Sequence, residues 1–264
     1  MRDLVRGAIG VVALAVAVGA GAQGGAVSFG RLSFEQGLSQ SIVEGILQDR
    51  SGFMWFVTED GLNRFDGYNF TVFKHEAGNP NSLGHNELKA LYEDRDGVLW
   101  VATDRGGLSC VDPAEGAFST FQHDPSNPLT LSADRVLSLY QDRSQVLWIG
   151  TYGGGLNSFD RASGTFHCFT TADGLANDSV CGILEDREGG LWVSTNSGLP
   201  RFDPGTESFR NYDVHDGLQS NEFNGVAFFA SPSGELFFGG INGLNAFFPE
   251  RIRPNPEPPP EPLC

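Results

Sequence analysis

Three glutamates lie in apolar, strand-like stretches of the sequence and are the residues best suited to acid–base chemistry: Glu44, Glu93 and Glu185. Two carboxylates on either side of a glycosidic bond can cleave it, so a glycoside hydrolase or lyase is one hypothesis. Glu93 and Glu185 each precede an aspartate turn, and Gln48 and Gln141 stand at the same place in related stretches. The acids therefore follow a repeated pattern, and we expect no catalytic residue among them.

A second set of polar side chains falls in short loops and suits binding better than catalysis. Tyr, Arg, Asn and carboxylate side chains can hydrogen-bond to and stack on a polar ligand such as a sugar. For any single position the alternative is an ordinary solvated loop residue. As a set, we predict that these residues bind a small polar ligand, for example an oligosaccharide: Glu59, Asp104, Arg105, Tyr152, Asn196, Asn242, Asn177, Asn221 and Asn224.

The cysteines and histidines do not indicate a metal or cofactor site. No CxxC pair occurs, and the cysteines stand at non-matching places, so neither a disulfide framework nor a zinc site is expected. We expect free buried thiols, histidines that belong to connecting segments, no metal and no cofactor. The residues concerned are Cys110, Cys168, Cys181 and Cys264, and His75, His123 and His215.

The elements that must position these residues follow from an internal repeat. An aromatic residue recurs at intervals of 45, 48, 44 and 45 residues, a period typical of propeller blades. Each repeat contains four strand-like pieces, in the third "VLSLYQ", "VLWIGT", "LNSFD" and "TFHCFTT". Four antiparallel strands make one blade, and the recurring aromatics would fill the space between blades. These structural core residues are Trp55, Trp100, Trp148, Trp192 and Phe237.

The repeats predict an all-β fold, a β-propeller of five four-stranded blades over residues 27–250. The fifth repeat stops at "LNAFFPERIRPN" without an outer strand, whereas "VSFGRLSF" near the start resembles the outer strands of other repeats. Pairing this N-terminal strand onto the fifth blade would close the ring and leave no free edge. Residues 251–264 are proline-rich and are expected to form a tail or linker. Aspartates recur at the first hairpin of four repeats, where we expect a structural role.

The N-terminus and the overall charge predict where the protein works. Residues 1–22 have a basic start, an apolar stretch from about Ala8 to Val18 and a small-residue end, as in a secretory signal peptide. An uncleaved anchor is the alternative, but the apolar run is short for a span. The net charge of −16 argues against a nucleic-acid partner. We expect a periplasmic or secreted protein with no transmembrane helix in the mature chain.

The stretch "QSIVEGILQDRSGFMWFVTEDGLNRFDGYNFTVF", with "DGLQSNEFN" and "ELFFGGINGLNAFFPERI", resembles the two-component regulator propeller family. The resemblance implies a periplasmic propeller that senses ligands, often saccharides, for bacterial hybrid histidine kinases. The family usually builds seven-bladed rings and continues into an immunoglobulin-like domain, a membrane span and a kinase. This chain has five repeats and stops where the next domain should begin. We therefore expect a truncated or standalone piece that depends on a signalling partner or a C-terminal kinase region.

The sequence thus favours an extracytoplasmic sensor propeller of a two-component signalling system that recognises a saccharide or similar polar ligand. No phosphoacceptor helix or ATP-binding glycine box occurs, so this chain is not expected to be an enzyme. Two alternatives stay open: a protein-interaction scaffold, and, less favoured, a five-bladed glycoside hydrolase or lyase.

Overall fold

The computed structural model describes residues 30–111 and 116–252, which form β-strands joined by short turns. The strands group into five antiparallel sheets, and this confirms the predicted all-β propeller of five blades. The predicted signal peptide at 1–22 and nearly all of the predicted tail at 251–264 lie outside the described residues. In the part that is described, no helix has the length and apolar content of a membrane span.

Each sheet is one blade, built from strands consecutive in the chain. Blade 1 comprises β1 (Val43–Gln48), β2 (Met54–Thr58), β3 (Gly61–Phe65) and β4 (Phe70–Phe73). Blade 2 comprises β5 (Leu88–Glu93), β6 (Leu99–Thr103), β7 (Leu108–Val111) and β8 (Phe118–Phe121). Blade 3 comprises β9 (Val136–Gln141), β10 (Leu147–Thr151), β11 (Leu156–Asp160) and β12 (Thr165–Phe169). Blade 4 comprises β13 (Val180–Glu185), β14 (Leu191–Thr195), β15 (Arg201–Asp203) and β16 (Ser208–Arg210). Blade 5 comprises β17 (Phe223–Ala230), β18 (Leu236–Gly240) and β19 (Gly243–Phe247).

Every blade is an antiparallel meander whose first strand is innermost. In blade 3, for example, Trp148 of β10 lies opposite Tyr140 of β9 and Ser158 of β11. The inner strands β1, β5, β9, β13 and β17 contact one another in chain order. Blades 1 to 4 have the predicted four strands, whereas blade 5 has three among the described residues.

The seam between blade 5 and blade 1 is less well covered than the other blade interfaces. β17 does not pack against β1 as the other inner strands pack against their neighbours, and the side chains of Ile46 and Phe229 are exposed. The predicted closing strand starts at Val27, outside the described residues, and residues 30–33 form no strand. Closure of the ring by the N-terminus therefore stays a prediction.

A buried aspartate at the first hairpin of blades 1 to 4 joins the turn to the blade core. One carboxylate oxygen accepts the backbone N–H four residues later, at 2.9–3.0 Å. The other accepts the indole N–H of the repeated tryptophan at 2.5–3.0 Å. Since both oxygens have donors, the carboxylate can be buried without a large penalty. The pairs are Asp49–Trp55, Asp94–Trp100, Asp142–Trp148 and Asp186–Trp192.

The repeated tryptophans pack into the next blade. They are at most 4% exposed, while Phe237 at the fifth position is partly exposed. Ring centroids lie 5.5 Å apart for Trp148 and Phe202, and 4.7 Å apart for Trp192 and Phe247. Aromatic rings bury large apolar areas, so these contacts hold adjacent blades together.

A chain of arginines links the first hairpins of successive blades. The backbone N–H of Arg95 donates to Gln141 Oε1 at 2.9 Å, and that of Arg143 donates to Glu185 Oε2 at 3.0 Å. Each guanidinium also reaches a backbone oxygen of the next hairpin; Arg95 Nη1 lies 3.1 Å from the carbonyl of Arg143. At the same position blade 5 has Pro232, which has no N–H to donate. The arginine chain therefore runs in one direction and ends at blade 5.

The connectors between blades are held in place by local hydrogen bonds. Those entering blades 1, 4 and 5 contain short 3-10 helices, Phe34–Gln36, Thr171–Asp173 and Val214–Asp216, each with a capping box. The longer connectors into blades 2 and 3 are closed by His75 and His123, whose Nδ1 atoms lie 2.7 and 2.8 Å from the carbonyls of Leu83 and Leu131. A further 3-10 helix, Pro249–Arg251, follows β19.

Candidate functional site: the mouth of the central channel

The hairpins between the second and third strands share one face of the propeller with the connectors into the inner strands; we call it the loop face. Backbone hydrogen bonds join the two kinds of loop. Asp104 N–H donates to the carbonyl of Glu87, and Tyr152 N–H to that of Arg135, both at 2.9 Å. The hairpin and the connector therefore meet beside the start of the inner strand in blades 2 and 3.

Asp104 is the centre of a charged cluster on this face, between blades 2 and 3. The residue is 6% exposed. Arg135 Nε of blade 3 lies 2.9 Å from Oδ1, Arg105 Nε lies 3.2 Å from Oδ2, and Lys89 Nζ lies 3.8 Å from Oδ1. The Arg135 contact is an ion pair that is not aligned as a hydrogen bond. One buried carboxylate thus fixes the inner ends of two guanidinium groups.

Tyr152 extends the cluster with an aromatic surface. The Arg135 guanidinium carbon lies 4.5 Å from the centroid of the Tyr152 ring, within range of a cation–π contact. Tyr152 is 50% exposed, so part of this ring is open to solvent. A half-exposed ring beside hydrogen-bond donors is an arrangement that suits a sugar ring or another flat polar ligand.

Lys89 connects the cluster to the central channel. Its ammonium donates to Glu87 Oε1 at 2.8 Å, and this hydrogen bond raises the pKa of Lys89. The lysine therefore stays charged at neutral pH. The channel has a volume of about 330 Å³, and its lining includes Glu44, Lys89, Tyr92 and Tyr140. Burial, followed by the charge of Glu185, raises the pKa of Tyr140 to about 12, so its hydroxyl stays neutral.

The structure brings three of the predicted binding residues together, namely Asp104, Arg105 and Tyr152. Glu59 is exposed on the blade 1 hairpin, where Gln40 Nε2 donates to its Oε2 at 3.3 Å. Asn196 on the blade 4 hairpin accepts a contact from Cys181 Sγ at 3.4 Å.

The other predicted asparagines lie nearer blades 4 and 5, and most already bond to their own loops. Asn177 Oδ1 accepts from Ser179 N–H, and Asn221 Oδ1 accepts from Val214 N–H, both at 2.9 Å. Asn242 donates its backbone N–H to Gln219 Oε1 and its Nδ2 to the Gln219 carbonyl. Asn224 is exposed on β17. These contacts shape the connectors, and a role of these residues in binding stays a prediction.

The candidate acids are spread along the inner strands rather than paired. Glu93 Oε1 accepts the backbone N–H of Arg50 at 3.2 Å, and Glu185 Oε2 accepts that of Arg143 at 3.0 Å. Glu93 and Glu185 end the inner strands β5 and β13, where the first hairpins begin, on the face opposite the loop face. Glu44 lies near the start of β1, at the loop face. The shared contact of Glu93, Gln141 and Glu185 agrees with the structural role inferred from the repeat.

The cysteines that the structure describes, Cys110, Cys168 and Cys181, are free thiols. Burial raises the pKa of all three, that of Cys181 to about 11, so they stay protonated at neutral pH. Over residues 30–111 and 116–252, no cluster of histidine, cysteine or acidic residues is arranged to hold a metal ion.

The sequence patterns missed three members of the cluster: Glu87, Lys89 and Arg135. Glu87 and Lys89 flank Leu88 in "NELKAL", and Arg135 precedes Val136 in "ADRVLSL". A usable signal was present, because a charged residue beside the start of an otherwise apolar inner strand must face the channel mouth or the loop face.

A larger cavity, of about 440 Å³, lies away from the mouth, beside β19. Tyr212, Leu218 and Phe247 are among its lining residues. In blade 4, Phe209 of the outer strand packs 4.7 Å from Phe202, which corresponds to Phe247 in blade 5. The cavity therefore occupies the place of an outer strand, and we do not assign it to a small ligand.

Five meander sheets with their inner strands around a channel define a β-propeller, and its loop face carries a polar cluster. Three of the repeats match the model of a known protein family. Residues 82–105, 130–153 and 174–197 match the model of the two component regulator propeller. Each match runs from a connector through the first hairpin to the loop-face hairpin. The resemblance seen in the sequence is thereby confirmed for these three repeats, which are similar to the two-component regulator propeller family.

Solved structures agree with this assignment. The extracellular domain assigned to a hybrid two component system of B. thetaiotaomicron is 29% identical, with a TM-score of 0.72 over 83% of this chain and 30% of that chain. Virginiamycin B lyase from Staphylococcus aureus is 13% identical, with a TM-score of 0.55 over 81% of this chain and 71% of that chain. At that identity the lyase shares the fold alone.

A curated relative comes from the same class of signalling protein. "Histidine kinase P4" of Formosa agariphila is 36% identical over 83 residues. The match covers 31% of this chain and 6% of the kinase. This chain therefore spans a small part of the length of the signalling proteins that it resembles.

Proposed function

We propose that this chain is the ligand-binding propeller of an extracytoplasmic sensor in a two-component signalling system, and that its loop face recognises a saccharide or similar polar ligand. The relatives are extracellular propeller domains and a histidine kinase, which supports the sensor role. The observation that carries the ligand assignment is the cluster of Asp104, Arg135 and Tyr152, where a buried carboxylate holds a partly exposed guanidinium beside a half-exposed aromatic ring.

The proposal includes a periplasmic or secreted location and a signalling partner or C-terminal kinase region that receives the output. It assigns binding, and not bond cleavage, to this chain. The contacts of Glu93 and Glu185 support that choice, because each carboxylate accepts a backbone N–H from the first hairpin of the preceding blade and so joins two blades. Incubation with plant and bacterial glycans should leave every glycosidic bond intact by mass spectrometry.

A glycan array followed by isothermal titration calorimetry tests the proposal. We expect binding to at least one oligosaccharide class, and Tyr152→Ala should weaken it roughly fivefold because an aromatic contact is worth about 1 kcal/mol. Tyr68→Ala is the matched control, because this tyrosine is exposed on the β3–β4 turn at the face opposite the loop face. The affinity of this variant for the oligosaccharide should equal that of the wild type. No binding on the array, or equal losses in both variants, would refute the proposal.

A protein-interaction scaffold is the second candidate, favoured by apolar side chains exposed on blade 5. Val226, Phe229, Ile241 and Leu244 are all more than half exposed. Exposed apolar patches mark protein-binding surfaces. If a partner protein bound to blade 5 and stayed bound under saturating saccharide, this function would replace or accompany ligand sensing.

A further inference from the structure

We infer that the loop-face ligand carries a carboxylate, as a uronate-containing saccharide does, and that Arg105 and Arg135 bind this group. The inference rests on the proposed function and narrows it to one ligand chemistry. It comes from the charges at the junction of blades 2 and 3 and from the way their guanidinium groups are held.

The junction of blades 2 and 3 is much less acidic than the chain as a whole. Lys89, Arg105 and Arg135 contribute three positive charges, and Asp104, Glu87 and Glu44, whose charge acts on Lys89, contribute three negative ones, so these charges balance. The whole chain has a net charge of −16. A negative ligand is therefore repelled less at this junction than over most of the surface, and the exposed guanidinium groups can attract its charge directly.

Both arginines are fixed at one end and open at the other. Each contacts Asp104 through Nε, so the Nη groups are not used by that carboxylate. Arg105 is 76% exposed and Arg135 is 45% exposed at the side chain, and Arg135 also lies over the Tyr152 ring. A guanidinium edge binds a carboxylate through two parallel hydrogen bonds, a geometry that a neutral hydroxyl cannot match.

Equivalent positions in the other blades do not offer this chemistry. The loop-face hairpins of blades 1, 4 and 5 carry Glu59, Asn196 and Ile241 where blade 2 has Asp104. Among the five loop-face hairpins only that of blade 2 contains an arginine. The carboxylate of the ligand should therefore bind at the junction of blades 2 and 3. The hydroxyl groups of the ligand should lie over the remaining loop-face hairpins.

Calorimetry with matched ligand pairs tests the inference. Oligogalacturonate, oligomannuronate and oligoguluronate would each be compared with the neutral sugar made by reducing its carboxyl groups. We expect at least one uronate to bind about tenfold more tightly than its neutral form, since a hydrogen bond to a charged group is worth that factor or more. Raising the salt concentration from 50 to 500 mM should lower the affinity for the uronate and leave the affinity for the neutral sugar unchanged.

Variants assign the preference to the guanidinium groups. Arg105→Gln and Arg135→Gln should each lower the ratio of uronate affinity to neutral-sugar affinity about tenfold. Arg210→Gln is the matched control, because Arg210 also lies over a tyrosine ring, 5.1 Å from the Tyr212 centroid, but on the outer strand of blade 4. Its uronate affinity should equal that of the wild type.

Two results would overturn the inference, and they are distinguishable. Equal binding of uronates and neutral sugars, or a preference that survives both arginine variants, removes the carboxylate assignment and leaves saccharide sensing intact. Absence of binding to every saccharide, charged or neutral, removes the proposed function together with this inference.

Discussion

Replacing Asp94 by Asn changes one atom and one charge in a network buried at the first hairpin of blade 2. Asp94 is fully buried. Its Oδ2 accepts the indole N–H of Trp100 at 2.5 Å and pairs with Arg161, and its Oδ1 accepts the N–H groups of Asp96 and Val98 at 2.9 and 3.0 Å. An asparagine keeps one acceptor, so it can preserve either the turn or the tryptophan contact, but not both.

The loss can be estimated by comparison with Asp142 in blade 3. Asp142 bonds to Trp148 and Val146 in the same way, and no arginine contacts it among the described residues. Losing a charged hydrogen bond costs about 1.5–3 kcal/mol, so Asp142→Asn should destabilise the protein by about 2 kcal/mol. Asp94→Asn also removes the buried one of the two carboxylates that pair with Arg161, the other being the exposed Asp96, and should cost about 3 kcal/mol.

Urea unfolding followed by far-UV circular dichroism measures both losses. Burial alone would raise the pKa of Asp94, but the hydrogen bonds from Trp100, Arg161 and Val98 outweigh it and the net shift is downward. A lowered pKa gives stability that is present above the unfolded value of 3.8 and is lost as the pH falls through the folded value. The cost of Asp94→Asn should therefore shrink as the pH falls below about 4.

Either of two measurements would contradict these expected losses. If Asp142→Asn costs less than about 0.5 kcal/mol, the carboxylate–indole bond does not hold the hairpin. If Asp94→Asn and Asp142→Asn cost the same at pH 7, the Arg161 pair contributes nothing to stability.

Two further predictions use the repeat as its own control. Burial raises the pKa of Glu185, so the ionised form is disfavoured in the folded state and its contribution to stability is lost as the pH rises through the folded pKa. Glu185→Gln, which copies Gln141, should raise stability at pH 7 by up to about 1 kcal/mol and have no such effect below pH 4.5, the unfolded value, by the same urea assay. Gly155→Ala should cost more than about 3 kcal/mol by thermal unfolding, because φ is +78° and the new Cβ would lie 2.1 Å from the Phe169 carbonyl oxygen. Gly164→Ala, at φ +70° with nothing within 4 Å, should cost about 1 kcal/mol; equal costs would contradict the steric argument.

Much of the fold could be predicted because its determinants are local. The spacing of Trp100, Trp148 and Trp192 gives the blade period, and an aspartate six residues before each tryptophan marks the first hairpin. A hairpin and its hydrogen bonds involve residues close in the chain, so their chemistry is visible in the sequence. The predicted closing strand differs, because it would pair the first residues with the last blade.

The candidate site was only partly predictable. Asp104, Arg105 and Tyr152 were found because they lie in loops of a predicted face. Nothing in the sequence distinguishes them from Asn177 or Asn221, whose side chains bond to their own connectors. The difference depends on which neighbouring groups are free to accept or donate after folding, and this is a property of three-dimensional packing.

The amino-acid pattern alone therefore established the repeat, the blade and the position of the loops, since turns and strand periodicity depend on near neighbours. Only the folded chain decided which loop residues form a site. Lys89, Asp104 and Arg135 come from two blades and meet because one blade packs beside the next at a fixed angle. Distances between charges on separate blades follow from that packing, and electrostatic attraction depends on those distances.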